Sequence, residues 1–460
     1  MFVAELDRPW VDTPFLFQGF LVEDEGQVAT LRRFCEFVTV DYERSAAGLF
    51  PASHLGSAPK PVEKIRQPLI AGYTVVTDGP TGLKRRGSLL QRLREIFGRR
   101  GEYRDLEENM PSTEGSPEDD GSPPPRLARP DFIPTSVELT YHQDSKTIDE
   151  EIESAQQAYG ESKEFARQVF SDIRSGKNMS VDRIEEAIRG VVDSMVRNPD
   201  ALIWVAHLKQ QDSETYGHDL QVAVYLVAFG RNLGLPTKLL DHLGMLGLLL
   251  DIGKTKLPRA LLAKPGRLSQ DEFELTKRHV GLGLDLLRDT PNLHTDILEG
   301  IAQHHEREDG SGYPQGLSAG NISLFGRMAA IVDVYVAITN VRPYAEAASA
   351  LDTLRRLTYW SGKLFHKPLV EQFIQAIGVC PVGSLVELST GEVAVVVRQS
   401  KVRRLQPRVL IICGPDKIPA PSFRLVDLLY QPERGSERVH IVHGLPAGAY
   451  GLDASEYYLS

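Results

Sequence analysis

The stretch HHEREDGSGYP, His304–Pro314, holds two adjacent histidines, an acidic cluster and a glycine-rich turn within eleven residues. Neighbouring side chains on a helix project about 100° apart, so adjacent imidazoles converge on one place when a metal ion, or a pair of ions, gathers them. Asp309-Gly310-Ser311-Gly312-Tyr313-Pro314 reads as a loop, because two glycines and a proline break both regular structures. A lone histidine pair ordinarily sits in solvent on a protein's surface, but the sequence upstream gives this one company.

Seven of the twelve histidines fall between His207 and His305. Glu214 and His218 are four apart and share a helix face. Asp251 ends an apolar helix and is followed by Ile252-Gly253-Lys254. His279 lies in a helix expected over Asp271–Leu287, and His304 and His305 close the next, Thr295–His305. Asp333 interrupts the apolar helix Leu324–Thr339. A buried carboxylate there needs a partner, and a metal ion is one. The set Glu214, His218, Asp251, His279, His304, His305 and Asp333 offers nitrogen and oxygen with no thiolate. That favours iron, manganese or a similar divalent ion, one or two per chain, over structural zinc. Two adjacent ions sharing a carboxylate suit phosphoester hydrolysis, and Lys254, three residues after Asp251, is positioned to hold a non-bridging phosphate oxygen. His207, His242 and His294 fit no such pattern and read as polar or packing residues.

The chain of 460 residues is too long for one core, so two or three domains are expected. A net charge of −10 argues against coating a nucleic acid polymer. Three scattered cysteines, Cys35, Cys380 and Cys413, make no disulfide framework, and a reducing cytoplasm is the default. No secretory pattern opens the chain. The longest apolar runs, Val222–Phe229 and Leu243–Leu250, fall far short of the roughly 18 residues that span a bilayer. A soluble cytoplasmic protein is expected.

Four regions follow from the patterning. Residues 1–79 alternate short apolar and polar pieces around an expected helix, Asp24–Cys35, and read as a small α+β domain. Residues 80–143 hold a short basic amphipathic helix around Leu89–Phe97, suited weakly to a membrane surface, and then a Pro/Ser/Gly/acid linker that cannot bury a core. Residues 144–377 carry helical periodicity throughout and form an all-α domain. Residues 378–460 return to strands, Ser384–Leu388, Val393–Val397 and Val409–Cys413, as a β-rich extension.

At the ligand residues the sequence resembles the HD-GYP family, a branch of the HD phosphohydrolases. The resemblance runs through Glu214-x3-His218, Leu250-Asp251-Ile252-Gly253-Lys254, Leu257-Pro258, Leu262-x-Lys264-Pro265-Gly266, His279, HHEREDGSGYP and IVDVYVAITNVRPY (Ile331–Tyr344). Residues 1–79 are similar to a small domain found ahead of HD-GYP domains, and the C-terminal strands to an extension common in that subgroup. The resemblance implies an HD-type helical domain that hydrolyses cyclic di-GMP to pGpG and then GMP. It implies a centre of two or three metal ions, with Asp251 and Lys254 in the catalytic machinery. Gly312, Tyr313 and Pro314 would form the signature loop, which contacts substrate and also partner proteins such as GGDEF domains, and Arg342 would bind the ligand.

Three positions depart from that pattern. The family's His-Asp doublet is Leu250-Asp251 here, and leucine cannot ligate a metal. Val336 stands where an aspartate usually supports the motif lysine, and Ala345 where a lysine usually follows Arg-Pro-Tyr. The first ion then keeps at most His218, Asp251 and Asp333, whereas the second keeps Asp251, His279, His304 and His305. The expectation is a phosphodiesterase of weakened activity, with a catalytically inactive cyclic di-GMP receptor or protein-interaction module as the alternative.

Overall fold

The computed structural model describes residues 129–175, 180–208, 215–264, 266–288, 290–340, 347–400, 406–430 and 438–452. Ahead of them it describes short pieces at 2–6, 20–21, 28, 31–32, 38–41 and 74–75. Glu214, Arg342, Ala345, the expected basic helix and the linker up to residue 128 lie outside these residues, whereas 129–143, expected to continue the linker, are described and bury Ile133.

The chain divides into two compact units. The first comprises Met1–Thr77, Gly378–Cys380 and Val386–His443. Strands β1 (Phe2–Leu6), β2 (Phe20–Leu21) and β3 (Val38–Asp41) form an antiparallel sheet with β1 at its centre. Within the expected Asp24–Cys35 helix, positions 28, 31 and 32 are helical and Leu31 is buried. A second sheet has the order β4-β8-β7-β6-β5-β9, from β4 (Thr74–Val75), β5 (Leu385–Leu388), β6 (Val393–Arg398), β7 (Arg408–Cys413), β8 (Pro419–Asp427) and β9 (Ile441–Leu445). Its expected strands, β5 to β7, are the apolar ones. The polar β8 escapes the sequence pattern because it lacks the continuous apolar run of β6 and β7. The sequence reads as two separate pieces here, yet Thr74–Val75 pairs with Leu425 and Arg424 of β8 and supplies that strand's outer hydrogen-bonding partner.

The second unit is the helical body, Asp78–Ile377 with Pro381–Leu385 and Gly444–Ser460. Its helices are α1 (Ile148–Arg174), α2 (Val181–Arg197), α3 (Pro199–Leu208), α4 (Thr215–Asn232), α5 (Thr237–Leu249), α6 (Arg259–Leu262), α7 (Gln270–Lys277), α8 (His279–Leu287), α9 (Thr295–Gln303), α10 (Leu324–Thr339), α11 (Ala350–Trp360) and α12 (Lys367–Ile377). Thr147 starts α1 with a reciprocal capping box to Glu150. Helix α4 is apolar on every side from Val222 to Phe229, so it sits at the centre with neighbours all round. Tyr225 and Phe229 of α4 meet Tyr335 of α10 and Phe373 of α12 in a chain of ring contacts at 5.2–5.4 Å.

The helix expected over Asp271–Leu287 is two helices. Ser269 begins α7 with a capping box to Glu272, and the turn tightens at Arg278, whose N–H bonds Leu275 O at 3.2 Å. That break matters to the site, because the next residue is His279. No helix among the described residues is long and apolar enough to cross a membrane.

Candidate metal centre

Three helix ends and two further helices converge on one carboxylate. Helix α5 runs into Leu250 and Asp251, α9 into His304 and His305, α8 begins at His279, and α4 and α10 carry His218 and Asp333. The turn after Asp251 packs against α8 so closely that a Cβ at Gly253 would fall 1.9 Å from His279 O and 2.5 Å from Gly283 N. Glycine at 253 is therefore required for Asp251 and His279 to meet.

Asp251, His279, His304 and His305 offer ligand atoms that all lie within 4.8 Å of one another. His279 Nε2 is 3.3 Å from Asp251 Oδ1, His304 Nε2 is 4.0 Å from it, and the two Nε2 atoms are 3.4 Å apart. The outer nitrogens fix the tautomers. His279 Nδ1 reaches Thr276 O and His304 Nδ1 reaches Ile301 O, each at 2.7 Å. A carbonyl only accepts, so each Nδ1 carries the proton and each Nε2 presents a lone pair. Burial lowers both imidazoles, His304 to about 4, so they stay neutral at pH 7. His305 is also pushed well down, by burial and then by its neighbour His304. Asp251 Oδ1 is buried and has no hydrogen-bond partner among the described residues. Two imidazole lone pairs thus face an orphaned carboxylate oxygen with no proton to share. A divalent cation satisfies that donor set, and the held tautomers are those of metal-ligating histidines.

His218, Asp251 and Asp333 form the neighbouring group. Its contacts differ in kind. His218 Nε2 lies 3.0 Å from Asp333 Oδ1 and donates to it, while it is 4.0 Å from Asp251 Oδ2. Lys254 Nζ makes a short ion pair with that same Oδ2. Burial pushes the Asp251 carboxyl up, but Lys254 and His279 outweigh it and hold the group well below the usual carboxylate range. Burial likewise opposes, and the His218 hydrogen bond overcomes, in keeping Asp333 ionised. Desolvation lowers Lys254, and Asp251 and Asp333 more than restore its charge. Leu250 and Val336 are fully buried. The histidine and lysine therefore already partner the carboxylates of this group.

The structure thus gathers His218, Asp251, Lys254, His279, His304, His305 and Asp333, six of the seven expected ligands with the expected lysine. Two buried neighbours escape sequence reading. Asp219, beside His218, is pushed well above the carboxylate range by burial and by Asp251. Glu306 takes Gln315 N at 2.7 Å on one oxygen and Leu317 N at 2.9 Å on the other. Its signal was adjacency to the histidine pair; charge alone suggested surface.

Glu306 thereby shapes the loop that Gly312, Tyr313 and Pro314 occupy. A Cβ at Gly312 would lie 2.5 Å from both His305 O and Glu306 Cα, so the loop lies against its own helix end only with glycine there. Tyr313 stacks on His305 with ring centroids 4.5 Å apart and planes 27° from parallel. Lys277 Nζ sits 5.4 Å over the other part of this assembly, the Tyr313 ring, and 4.9 Å over Phe273. The Tyr313–Pro314 peptide is cis.

Against this geometry, a family profile described as "HD domain" matches residues 204–360, and a second, described only as a domain of unknown function, matches residues 1–184. A cyclic di-GMP phosphodiesterase of Pseudomonas aeruginosa is 36% identical over 306 residues, covering 66% of this chain and 72% of that protein. A cyclic di-GMP phosphodiesterase response regulator of Xanthomonas campestris is 38% identical over 144 residues, 31% of this chain and 38% of that protein. A 3'3'-cGAMP-specific phosphodiesterase of Vibrio cholerae is 31% identical over 169 residues, 36% of this chain and 32% of that protein.

The helical body is an HD domain, the scaffold of metal-dependent phosphohydrolases. The chain belongs to the HD-GYP family within that class.

Proposed function

We propose that this chain is a metal-dependent phosphodiesterase that hydrolyses cyclic di-GMP to pGpG and GMP, with turnover lowered by Leu250. The observation that carries the reading is the inward-facing lone-pair set of Asp251, His279, His304 and His305, which retains every donor and keeps its imidazoles neutral. Iron or manganese matches a nitrogen-and-oxygen set of this kind. A divalent ion held there supplies Lewis acidity toward the phosphodiester.

The chain's own residues do the rest. His279 and His304 are held in orientation by the Thr276 and Ile301 carbonyls. Asp251 belongs to both ligand groups and couples them. Lys254 spends one of its three donors on Asp251 and has capacity for a phosphate oxygen. Tyr313, Gly312 and Pro314 border the centre through the His305 stack and face the substrate, and Arg342 and Glu214 are assigned their binding and ligand roles by family resemblance. The same loop is the candidate contact for a GGDEF-domain protein.

A second reading has its own support. Leu250 and Val336 are buried apolar residues where the family has a ligand and a carboxylate. They fit a receptor that binds cyclic di-GMP without turning it over.

The deciding assay uses the full chain stripped of metal and reloaded with manganese or iron. Release of pGpG and GMP from cyclic di-GMP is expected at a low rate, and chelation should abolish it. Leu250→His should raise turnover about tenfold or more, consistent with the 10–100-fold that even indirect losses cost at metal sites. No product at high enzyme concentration, with or without that substitution, overturns the reading in favour of the receptor. Faster cleavage of a mixed cyclic dinucleotide would instead move the substrate toward that of the Vibrio relative.

A further inference from the structure

His242, His294 and Asp296 carry no role in the chemistry above, and the sequence reads the histidines as packing. The structure brings the three together, with ligand atoms that all lie within 4.8 Å of one another. His242 is on α5, nine residues before Asp251. His294 and Asp296 begin α9, whose far end delivers His304 and His305. At 1.5 Å per residue, this cluster is about 13–15 Å along its helices from the catalytic ligands.

Two of the three have an ordinary structural account. His294 is the N-cap of α9 and its Nδ1 lies 3.3 Å from Asp296 N. Asp296 places a negative charge in the first helical turn, where the dipole favours it. His242 has none. It is 7% exposed, and its Nδ1 is fully buried with no hydrogen-bond partner among the described residues. Its ring stacks on His294 at a centroid distance of 4.4 Å with planes 30° apart. Burial, then the His294 charge, lowers its basicity to about 4, so it keeps a lone pair at neutral pH. A buried polar atom without a partner is costly, and the nearest groups able to share a cation with it are His294 and Asp296.

His294 is free to take part. Its Nδ1 is 3.3 Å from Asp296 Oδ2 as well as from the amide. In the cap Nδ1 accepts from the amide and Nε2 carries the proton; moving that proton to Nδ1, toward Asp296 Oδ2, gives up the cap bond and leaves Nε2 and the other Asp296 oxygen as ligands. Two imidazoles and one carboxylate suit a borderline divalent ion with water in the remaining positions.

We propose that His242, His294 and Asp296 form a separate site for a borderline divalent ion of the zinc class, joining the start of α9 to α5. Occupancy would clamp together the two helices whose opposite ends carry Asp251 and the His304-His305 pair. Those helices already cross closely, since a Cβ at Gly300 would lie 2.6 Å from Leu246 Cδ2. The inference is independent of what substrate the catalytic centre turns over.

The test counts ions in the full chain. Chelator-stripped protein is titrated with Zn2+ in a calorimeter, then desalted and analysed for bound metal. His294→Ser keeps a hydroxyl N-cap while removing the imidazole, and Asp296→Asn removes the ligand charge at constant shape. Each is expected to bind one Zn2+ fewer than the unsubstituted chain. In a His279→Ala/His304→Ala background, which disables the catalytic set, one Zn2+ should persist and should disappear on adding His294→Ser. Zn2+ should also raise the melting temperature of that background by several degrees more than it does once His294→Ser is added. Equal ion counts with and without His294→Ser, in proteins of matching circular dichroism, overturn the proposal, as does failure of the His279→Ala/His304→Ala chain to hold any Zn2+.

Discussion

The two ligand groups that share Asp251 are in opposite states. Around Oδ2, the charges are already answered: Lys254 pairs with Asp251, and His218 donates to Asp333 at 3.0 Å. Around Oδ1, two imidazole lone pairs and a carboxylate oxygen converge within 4.0 Å, and that oxygen has no hydrogen-bond partner among the described residues. A group that satisfies itself can hold its shape without a cation. A group of facing lone pairs cannot, because its members repel. The difference is the physical ground on which the proposed function expects the two groups to hold a metal ion unequally.

The sharpest way to break this comparison is to remove a ligand from each group in turn. His304→Ala, in the complete group, should lower both retained metal and turnover by at least about 100-fold, since even losses of supporting residues cost 10–100-fold. His218→Ala, in the self-satisfied group, should cost no more than about tenfold. Metal analysis and pGpG release measured on both variants decide the matter, and equal losses would erase the asymmetry.

A smaller effect is expected at Tyr313. Its ring lies on His305 rather than among the ligands, so Tyr313→Ala should weaken metal retention about tenfold by loosening that imidazole. Tyr313→Phe, which keeps the stacked ring, should retain metal normally. Loss of retention with phenylalanine as well would assign the effect to the hydroxyl.

The smallest effect concerns acid stability, away from both groups. His207 is held down to about 4 by burial, and its Nδ1 has no hydrogen-bond partner among the described residues. Its folded-state pKa is below the unfolded value of about 6.5, so the unfolded chain binds more protons between those values. Its contribution is therefore complete above about pH 6.5 and is lost as pH falls toward 4. His207→Gln should flatten that part of the melting-temperature profile by a few degrees relative to the unsubstituted chain. An identical profile would mean the imidazole is hydrated in solution.

Much of this centre was legible in the sequence. The ligand series needed only residue type and spacing, and helix bounds such as Leu324–Thr339 followed from apolar periodicity; the Ser323 cap that starts that helix is seen only in the structure. What periodicity missed were the local breaks and the polar pairings made over long sequence distances. The tightened turn at Arg278 follows no composition signal, yet it starts a new helix whose first residue, His279, meets Asp251. Glu306 reads as one more surface acid until its two oxygens are seen to hold the loop's backbone. His242 and His294 are 52 positions apart by number and meet only because α5 and α9 cross. Strand β8 lacked the continuous apolar run that marks β6 and β7, and β4 found its partner some 350 residues downstream.

Helix α9 acts as a ruler. One end is fixed by His294 against α5, and the other must present His304 and His305 to Asp251. Each added or deleted residue turns everything beyond it by about 100° and shifts it by about 1.5 Å. Substitutions along the outer face of this helix are thus tolerable in a way that a change of length is not. The interval from His294 to His304 can vary in letters but not in number, and a single inserted alanine there would empty the centre while leaving every ligand in the chain.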